Sequence, residues 1–262
     1  MEFCALASGS KGNAVYVGSR GRGVLVDAGL PGRDIERRLG AAGIAVDAVA
    51  AIVVTHEHRD HLSGVGVWAR RFGIPVHAAR ATWEAGQRVL PSRALRGVET
   101  HFFESGRPFE AAGLEFLPIS TSHDAADSVG FRIGDGAHVA GFATDLGFVS
   151  HAVREGLRGA SVLYLESNHD EDLLLNGPYP WHLKQRIRSR QGHLSNVDCA
   201  ALLADLLHDG LKAVVLGHLS EVNNAPRLAY DSARRTLEGA GVEGEVTLLV
   251  ARQDQAGTVV RL

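Results

Sequence analysis

The sequence predicts an α/β protein made of two sheets packed face to face with helices outside. Three observations carry this. Short apolar runs rich in β-branched residues recur along the chain; they come first at hairpin spacing and then alternate with helical segments; and that succession occurs twice. In the first half FCALAS, NAVYVG and GVLVDAG read as strands joined by Gly/Ser turns, 34–42 as a helix, and 48–55 as a strand apolar on both faces. A helix over 64–72, the short strand IPVHA and a helix over 81–89 complete it. From 101 to 143 the chain returns to short strands, LEFLPIS, SVGFRI and HVAGFAT, separated by Gly and Asp turns. The strand VLYLES, a polar loop, a helix over 196–208, the strand KAVVLGH, a helix over 227–238 and a last strand VTLLVA follow. No repeat, low-complexity tract or linker interrupts the series, so one domain over 1–262 is expected.

Composition narrows the function classes. With 27 basic against 30 acidic side chains the formal charge is -3, so no global positive field draws the protein to polyanions, and any such site must be local. Cys4 and Cys199 are the only cysteines, which argues against a disulfide framework and fits buried thiols in a reducing cytosol. Neither an export signal nor a membrane span is legible, and a cytoplasmic protein is expected.

The chemistry concentrates in VVTHEHRDHLSG. The run AIVVT ends where the histidines begin, so His56, His58, Asp60 and His61 fall on a loop at the end of a buried strand. Alternate spacing lets His56 and His58 point one way while Asp60 and His61 emerge on the other side of the turn, and one loop could thus supply two adjacent metal positions. A four-residue motif cannot complete such a site, and the chain offers more: His123 in ISTSHDA, Asp145 in FATDLG and His218 in VVLGHLS each sit just past an apolar run. His77, His101, His138, His151 and His208 lack that placement.

HEHRDH has the HxHxDH form of the metallo-β-lactamase superfamily, and Asp27 in LVDAG, His123, Asp145 and His218 fall in the order of that superfamily's remaining motifs. The resemblance covers nearly the whole chain. It implies an αββα sandwich, two mixed β-sheets flanked by helices, with metals at one edge. It also implies one metal held by His56, His58, His123 and Asp145 and another by Asp60, His61, Asp145 and His218, with Asp27 orienting the ligand loop. A donor set of His and Asp without thiolate suits zinc or manganese. Diiron redox members carry glutamate where this chain has His58, so hydrolysis is expected, and Asp145 matches phosphodiesterases and thioester hydrolases rather than β-lactamases.

Between Leu173 and Val197 no acidic residue occurs, while Lys184, Arg186, Arg188 and Arg190 do, interleaved with Tyr179 and Trp181. This is either a solvated helix face or a surface for phosphate contact and base stacking. His193 directly precedes a helix whose N-cap would be Ser195 or Asn196, where an anion meets a donor side chain and the helix dipole. The superfamily's tRNA 3′-end nucleases have a similarly placed histidine that helps the scissile phosphate. Glu166 and His169 in LESNHD could support this donor or face solvent. The loop SGSKGN, with Ser10 and Asn13, either touches phosphate or is a plain hairpin turn.

Taken together, MEFCALASGSKGNAVYV, LVDAGL, VVTHEHRDHLSGV, STSHDA, FATDLG, YLESNHD, YPWHLKQRI, GHLSN and GHLSEVNN resemble the YycJ/WalJ family of bacterial metallo-hydrolases. What that resemblance implies is a metal-dependent 5′ to 3′ DNA exonuclease linked to DNA repair. With two divalent ions at the centre, Asp60, Asp145, His193 and His169 are then expected in catalysis, and the residues read above, Lys184, Arg186, Arg188, Trp181, Ser10 and Asn13, on the nucleic acid. A small-substrate hydrolase acting on cyclic phosphodiesters or thioesters shares the same metal core, and a non-catalytic metal-binding regulator is the third reading.

Overall fold

The apolar runs become strands because alternate faces find cover, and the computed structural model, which describes residues 1–262, arranges them in two seven-stranded sheets. In the first, β1 (Glu2–Ala7), β2 (Ala14–Ser19) and β3 (Arg22–Val26) run antiparallel. Helix α1 (Gly32–Ala41) leads to β4 (Val49–Val53), α2 (Arg59–Leu62) and α3 (Val65–Phe72) to β5 (Val76–Ala79), and α4 (Arg80–Val89) to β6 (Thr100–Phe103). These crossovers make β3 to β6 parallel.

The second sheet repeats the plan. β7 (Phe109–Ala111), β8 (Leu114–Ser120), β9 (Val129–Gly134) and β10 (Val139–Ala143) are antiparallel. Helix α5 (His151–Leu157) then leads to β11 (Val162–Glu166), which lies parallel to β10. After it come α6 (Glu171–Asn176), α7 (Trp181–Ile187) and α8 (Asn196–Leu206). β12 (Ala213–Gly217), α9 (Pro226–Gly239) and β13 (Thr247–Val250) continue the parallel half, and β14 (Val260–Arg261) crosses back to pair with β1.

Three apolar layers hold the sandwich. Phe3, Val24, Val53, Phe116, Phe131, Phe142, Tyr164 and Val215 fill the space between the sheets. Leu25, Ile35, Leu39, Ile52 and Trp68 seat α1 and α3 on the first sheet, and Leu163, Leu203, Leu216, Ala229 and Leu237 seat α8 and α9 on the second. The expected αββα architecture is what the chain adopts.

Several elements escape the sequence reading. The polar loop expected after VLYLES contains α6 and α7, six and seven residues long, too short for a periodic stripe to stand out. Helix α5 is equally short, although Ser150 caps it by accepting from the Val153 amide. β6 is largely exposed at a sheet edge and β14 has two residues, so neither shows a buried alternation. The ligand loop itself winds one turn of helix, α2.

Parallel strands point their C-terminal ends the same way, and both sheets do so at one edge of the sandwich. Asp27 follows β3, His56 follows β4, Asp145 follows β10, Glu166 ends β11 and His218 follows β12. That edge carries the site.

Candidate metal centre

Sharp turns at strand ends aim the side chains. Asp27, Asp145 and His218 have φ of 60°, 55° and 55°, a left-handed backbone that costs about 1–3 kcal/mol for a residue other than glycine. Each stands just past the end of a strand that pairs in parallel with a neighbour. The loop after β3 also passes against the ligand loop so closely that a Cβ on Gly29 would lie 1.7 Å from the Asp60 carbonyl oxygen. Only glycine fits there.

Asp27 is buried and organises the HxHxDH loop. Its carboxylate accepts from the Thr55 amide at 2.8 Å, from Thr55 Oγ1 at 2.8 Å and from His61 Nδ1 at 2.7 Å. Because the single Thr55 hydroxyl proton goes to Asp27, Thr55 Oγ1 accepts from His56 Nδ1, 2.9 Å away. Both imidazoles are thereby held as the tautomer with Nε2 free to ligate. On the other side of the site, His123 Nδ1 donates to the Gly192 carbonyl at 3.0 Å, and Glu166 accepts from His218 Nδ1 at 3.1 Å and His193 Nδ1 at 2.7 Å. Glu166 is wholly buried and also accepts from the Leu146 and Leu194 amides. Burial opposes its charge, but His193 and His218 hold its pKa down at about 2.

All seven side chains expected as ligands converge. His56, His58 and His123 bring nitrogen atoms within 4.8 Å of one another, as do the donor atoms of Asp60, His61 and His218. Asp145 stands between: Oδ2 lies 3.4 Å from His61 Nε2, and Oδ1 lies 3.6 Å from His123 Nε2 and 3.7 Å from His218 Nε2. Burial would raise the Asp145 pKa, yet the surrounding His218, His61, His56 and His123 hold it well below the carboxylate range. His218 goes the other way, to about 10, because Asp145, Asp60 and Glu166 outweigh the effect of burial. His56 Nε2 and His218 Nε2 are buried without any hydrogen-bond partner. Unpartnered imidazole nitrogens facing carboxylates across a few ångströms suit divalent cations, and the donor set of His and Asp fits them.

His193 stands at the rim of this cluster, its ring centroid 5.2 Å from that of His218 and 5.1 Å from that of His123, with Nδ1 committed to Glu166. A cleft of about 180 Å³ opens there, lined among others by Ser10, Tyr179, Arg186 and His193. Arg186 is exposed and pairs with Asp124 at 2.6 Å, beside His123. Trp181 and Arg188 lie exposed on and just after α7.

Three expected site residues take other positions. Lys184, expected among the nucleic-acid contacts, is buried, with its ammonium donating to the Leu175 and Gly177 carbonyls at 2.7 Å each; it ties α7 to the end of α6. Asn13, expected to line the cleft, is also buried: it accepts from the Gly9 amide and turns its amide nitrogen to His61 Nε2 at 3.0 Å and Asp60 Oδ2 at 3.2 Å. His169 is buried beside Ser195, outside the four groups of converging ligand atoms, and burial drives its pKa down to about 4. Sequence reasoning also missed three supports. Thr55 was visible as the residue before His56; Ser8, whose Oγ accepts from the His218 amide at 2.6 Å, and Asn168, which donates to the His218 carbonyl at 2.8 Å, left no local signal.

Comparison with known proteins agrees with this geometry. Residues 22–219 match the family described as the beta-lactamase superfamily domain. The chain is 37% identical over 241 residues to the exodeoxyribonuclease YycJ of Bacillus anthracis, covering 92% of this chain and 90% of that protein. It is 35% identical over 249 residues to the exodeoxyribonuclease WalJ of Streptococcus pneumoniae, covering 94% and 93%. Among solved structures, the metallo-β-lactamase fold protein YhfI from Bacillus subtilis superposes with a TM-score of 0.71 at 16% identity over 98% of each chain, a likeness of fold.

Proposed function

This chain belongs to the beta-lactamase superfamily and, within it, to the YycJ/WalJ family of metal-dependent hydrolases, and from that membership we propose that it is a two-metal DNA exonuclease that degrades strands 5′ to 3′ in DNA repair. One ion would be held by His56, His58, His123 and Asp145 and the other by Asp60, His61, Asp145 and His218. Zinc or manganese bound there supplies a nucleophilic water near neutral pH and takes up charge developing on a phosphate.

The chain's own side chains do the rest. Asp27, through Thr55 and His61, and Glu166, through His218, hold the ligand tautomers before any substrate arrives, so no reorganisation is needed at the moment of reaction. His193 donates from Nδ1 to Glu166, which leaves Nε2 to hold a non-bridging phosphate oxygen or to protonate the departing oxygen. The buried Glu166 carboxylate steadies the charged imidazole in either role. Arg186 and Arg188 hold flanking phosphates, and Tyr179 and Trp181 offer faces for stacked bases.

The observation that carries this reading is His193, locked on Glu166 at the rim of the ligand cluster and opening on a cleft that Arg186 and Tyr179 line. Digestion of end-labelled DNA and RNA, duplex and single-stranded, by zinc- or manganese-loaded protein tests it, with Asp145→Ala as control. Short products released from the 5′ end of DNA are expected. Intact nucleic acid alongside turnover of bis(p-nitrophenyl) phosphate would move the activity to a small phosphodiester.

A further inference from the structure

A second cavity, about 540 Å³ against about 180 Å³ for the cleft at the metal centre, adjoins that cleft, and Leu219 and Ser220 line both. Its size falls in the roughly 300–1,000 Å³ range of small-molecule sites. Ser8, Lys11, Arg38, Arg252 and Gln253 form much of its wall.

Arg38 is the unusual member. Its side chain is only 6% exposed, and Nη1 donates to the Leu6 carbonyl at 3.0 Å and the Gln253 carbonyl at 2.9 Å, while Nε is buried with no partner. The other two cations of the wall have carboxylates, Lys11 with Glu221 at 2.6 Å and Arg252 with Asp254 at 3.2 Å, both exposed pairs. Arg38 hydrogen-bonds to backbone carbonyls alone, and Asp34 and Asp254, the latter in the same wall, act on it only through space. A buried guanidinium that no carboxylate touches is costly, and an anion entering the cavity would give it a direct partner.

The cavity is close to the chemistry. Leu6, which Arg38 holds, is two residues from Ser8, a span of at most about 7 Å, and Ser8 Oγ accepts from the His218 amide. We propose that this cavity receives the terminal nucleotide of the substrate strand, its 5′-phosphate on Arg38 with Lys11 and Arg252 at the mouth, so that the first internal phosphodiester lies over the metal centre. This rests on the exonuclease reading above and explains how a chain end is preferred to an internal bond.

The test uses metal-loaded enzyme on duplexes that differ only in a 5′-phosphate or 5′-hydroxyl, with bis(p-nitrophenyl) phosphate as a substrate too small to fill the cavity. Two variants are compared: Arg38→Met, which removes the buried charge, and the exposed pair Lys11→Glu with Arg252→Glu, which leaves the buried carbonyl bonds intact. Wild type should degrade the phosphorylated end about tenfold faster or more. Both variants should lose that preference and turn over the small diester at the wild-type rate. DNA degradation with no preference in wild type, or with the preference kept in both variants, overturns the subsite and leaves the nuclease standing. Turnover of the small diester with no DNA degraded overturns the nuclease. In that case inhibition by dAMP decides the subsite alone: a Ki raised about tenfold in the exposed double variant supports it, and an unchanged Ki removes it.

Discussion

Asp27 accepts three hydrogen bonds, two of them from Thr55, and through them sets the tautomers of two ligand histidines. Asp27→Ala frees both rings and leaves the buried Thr55 amide without its acceptor, so metal affinity should fall about 10- to 100-fold, measured by competition with a chromogenic chelator. Affinity equal to wild type would mean that packing alone orients the loop. His193 is a different case: it converges with Asp145, Glu166 and His218, but its Nδ1 is held by Glu166, and neither the group of His56, His58 and His123 nor that of Asp60, His61 and His218 needs it. His193→Ala should retain its metal, counted by atomic absorption, while kcat falls about 100- to 10,000-fold; a full rate on DNA would end its role at the phosphate. The thiols are the quiet residues. Burial pushes Cys4 up to about 11 and Cys199 up to about 12, so the thiolates that react are scarce at neutral pH. Native protein should resist a disulfide-exchange reagent that labels both cysteines in urea.

At the scale of elements, α7 and the loop after it hold the two halves of the site in register. The loop before the His123 side grips them at several points: Ser122 Oγ donates to the Arg190 carbonyl at 2.7 Å, the Asp124 amide to the Gln191 carbonyl at 3.2 Å, and His123 Nδ1 to the Gly192 carbonyl. Lys184 fastens α7 from below. Lys184→Met removes the two hydrogen bonds that the buried ammonium makes and should cost about 1–3 kcal/mol in urea unfolding, with DNA affinity falling little once the protein is folded. Arg188→Ala should do the reverse, sparing stability and flattening the salt dependence of DNA binding by about one phosphate contact. If the two variants behaved alike, the division between a structural cation and a substrate-facing one would be wrong. The basic run is thus not wholly a solvated helix face, since Lys184 is buried while Arg186 and Arg188 are exposed.

Across the whole molecule the sandwich gathers the expected ligands from four strand ends, β4, β8, β10 and β12, at one edge, and that crowding is unfavourable unless a cation offsets it. Orphaned nitrogens at His56 and His218 and the buried carboxylates of Asp145 and Glu166 crowd together there. Divalent ions bind the folded chain and not the unfolded one, so adding zinc or manganese at about 1,000 times Kd should stabilise the protein by about 4 kcal/mol. Calorimetric scans before and after chelation would read this as a fall in Tm, and an unchanged Tm would mean that the ligands do not hold ions in the folded state. No helix is long and apolar enough to cross a membrane.

The amino-acid sequence by itself determined the sandwich and the candidate ligands that converge on it, because both are written locally. Strands such as VLYLE and AVVLG carry their own burial pattern, and His56, His58, Asp60, His61, His123, Asp145 and His218 each stand just past an apolar run. Only the tertiary structure decided what surrounds those ligands. Lys184 and Arg186 are two residues apart in one basic run, yet one is buried against carbonyls from α6 and the other faces the cleft. Ser8 meets His218 across 210 positions of chain, and Arg38 meets Gln253 across 215. A hydrogen bond of that span leaves no periodicity in the sequence. Its partner is fixed by how two sheets pack, so side chains that steady the ligands and line the cavities become legible only after the strands have been brought to a common edge.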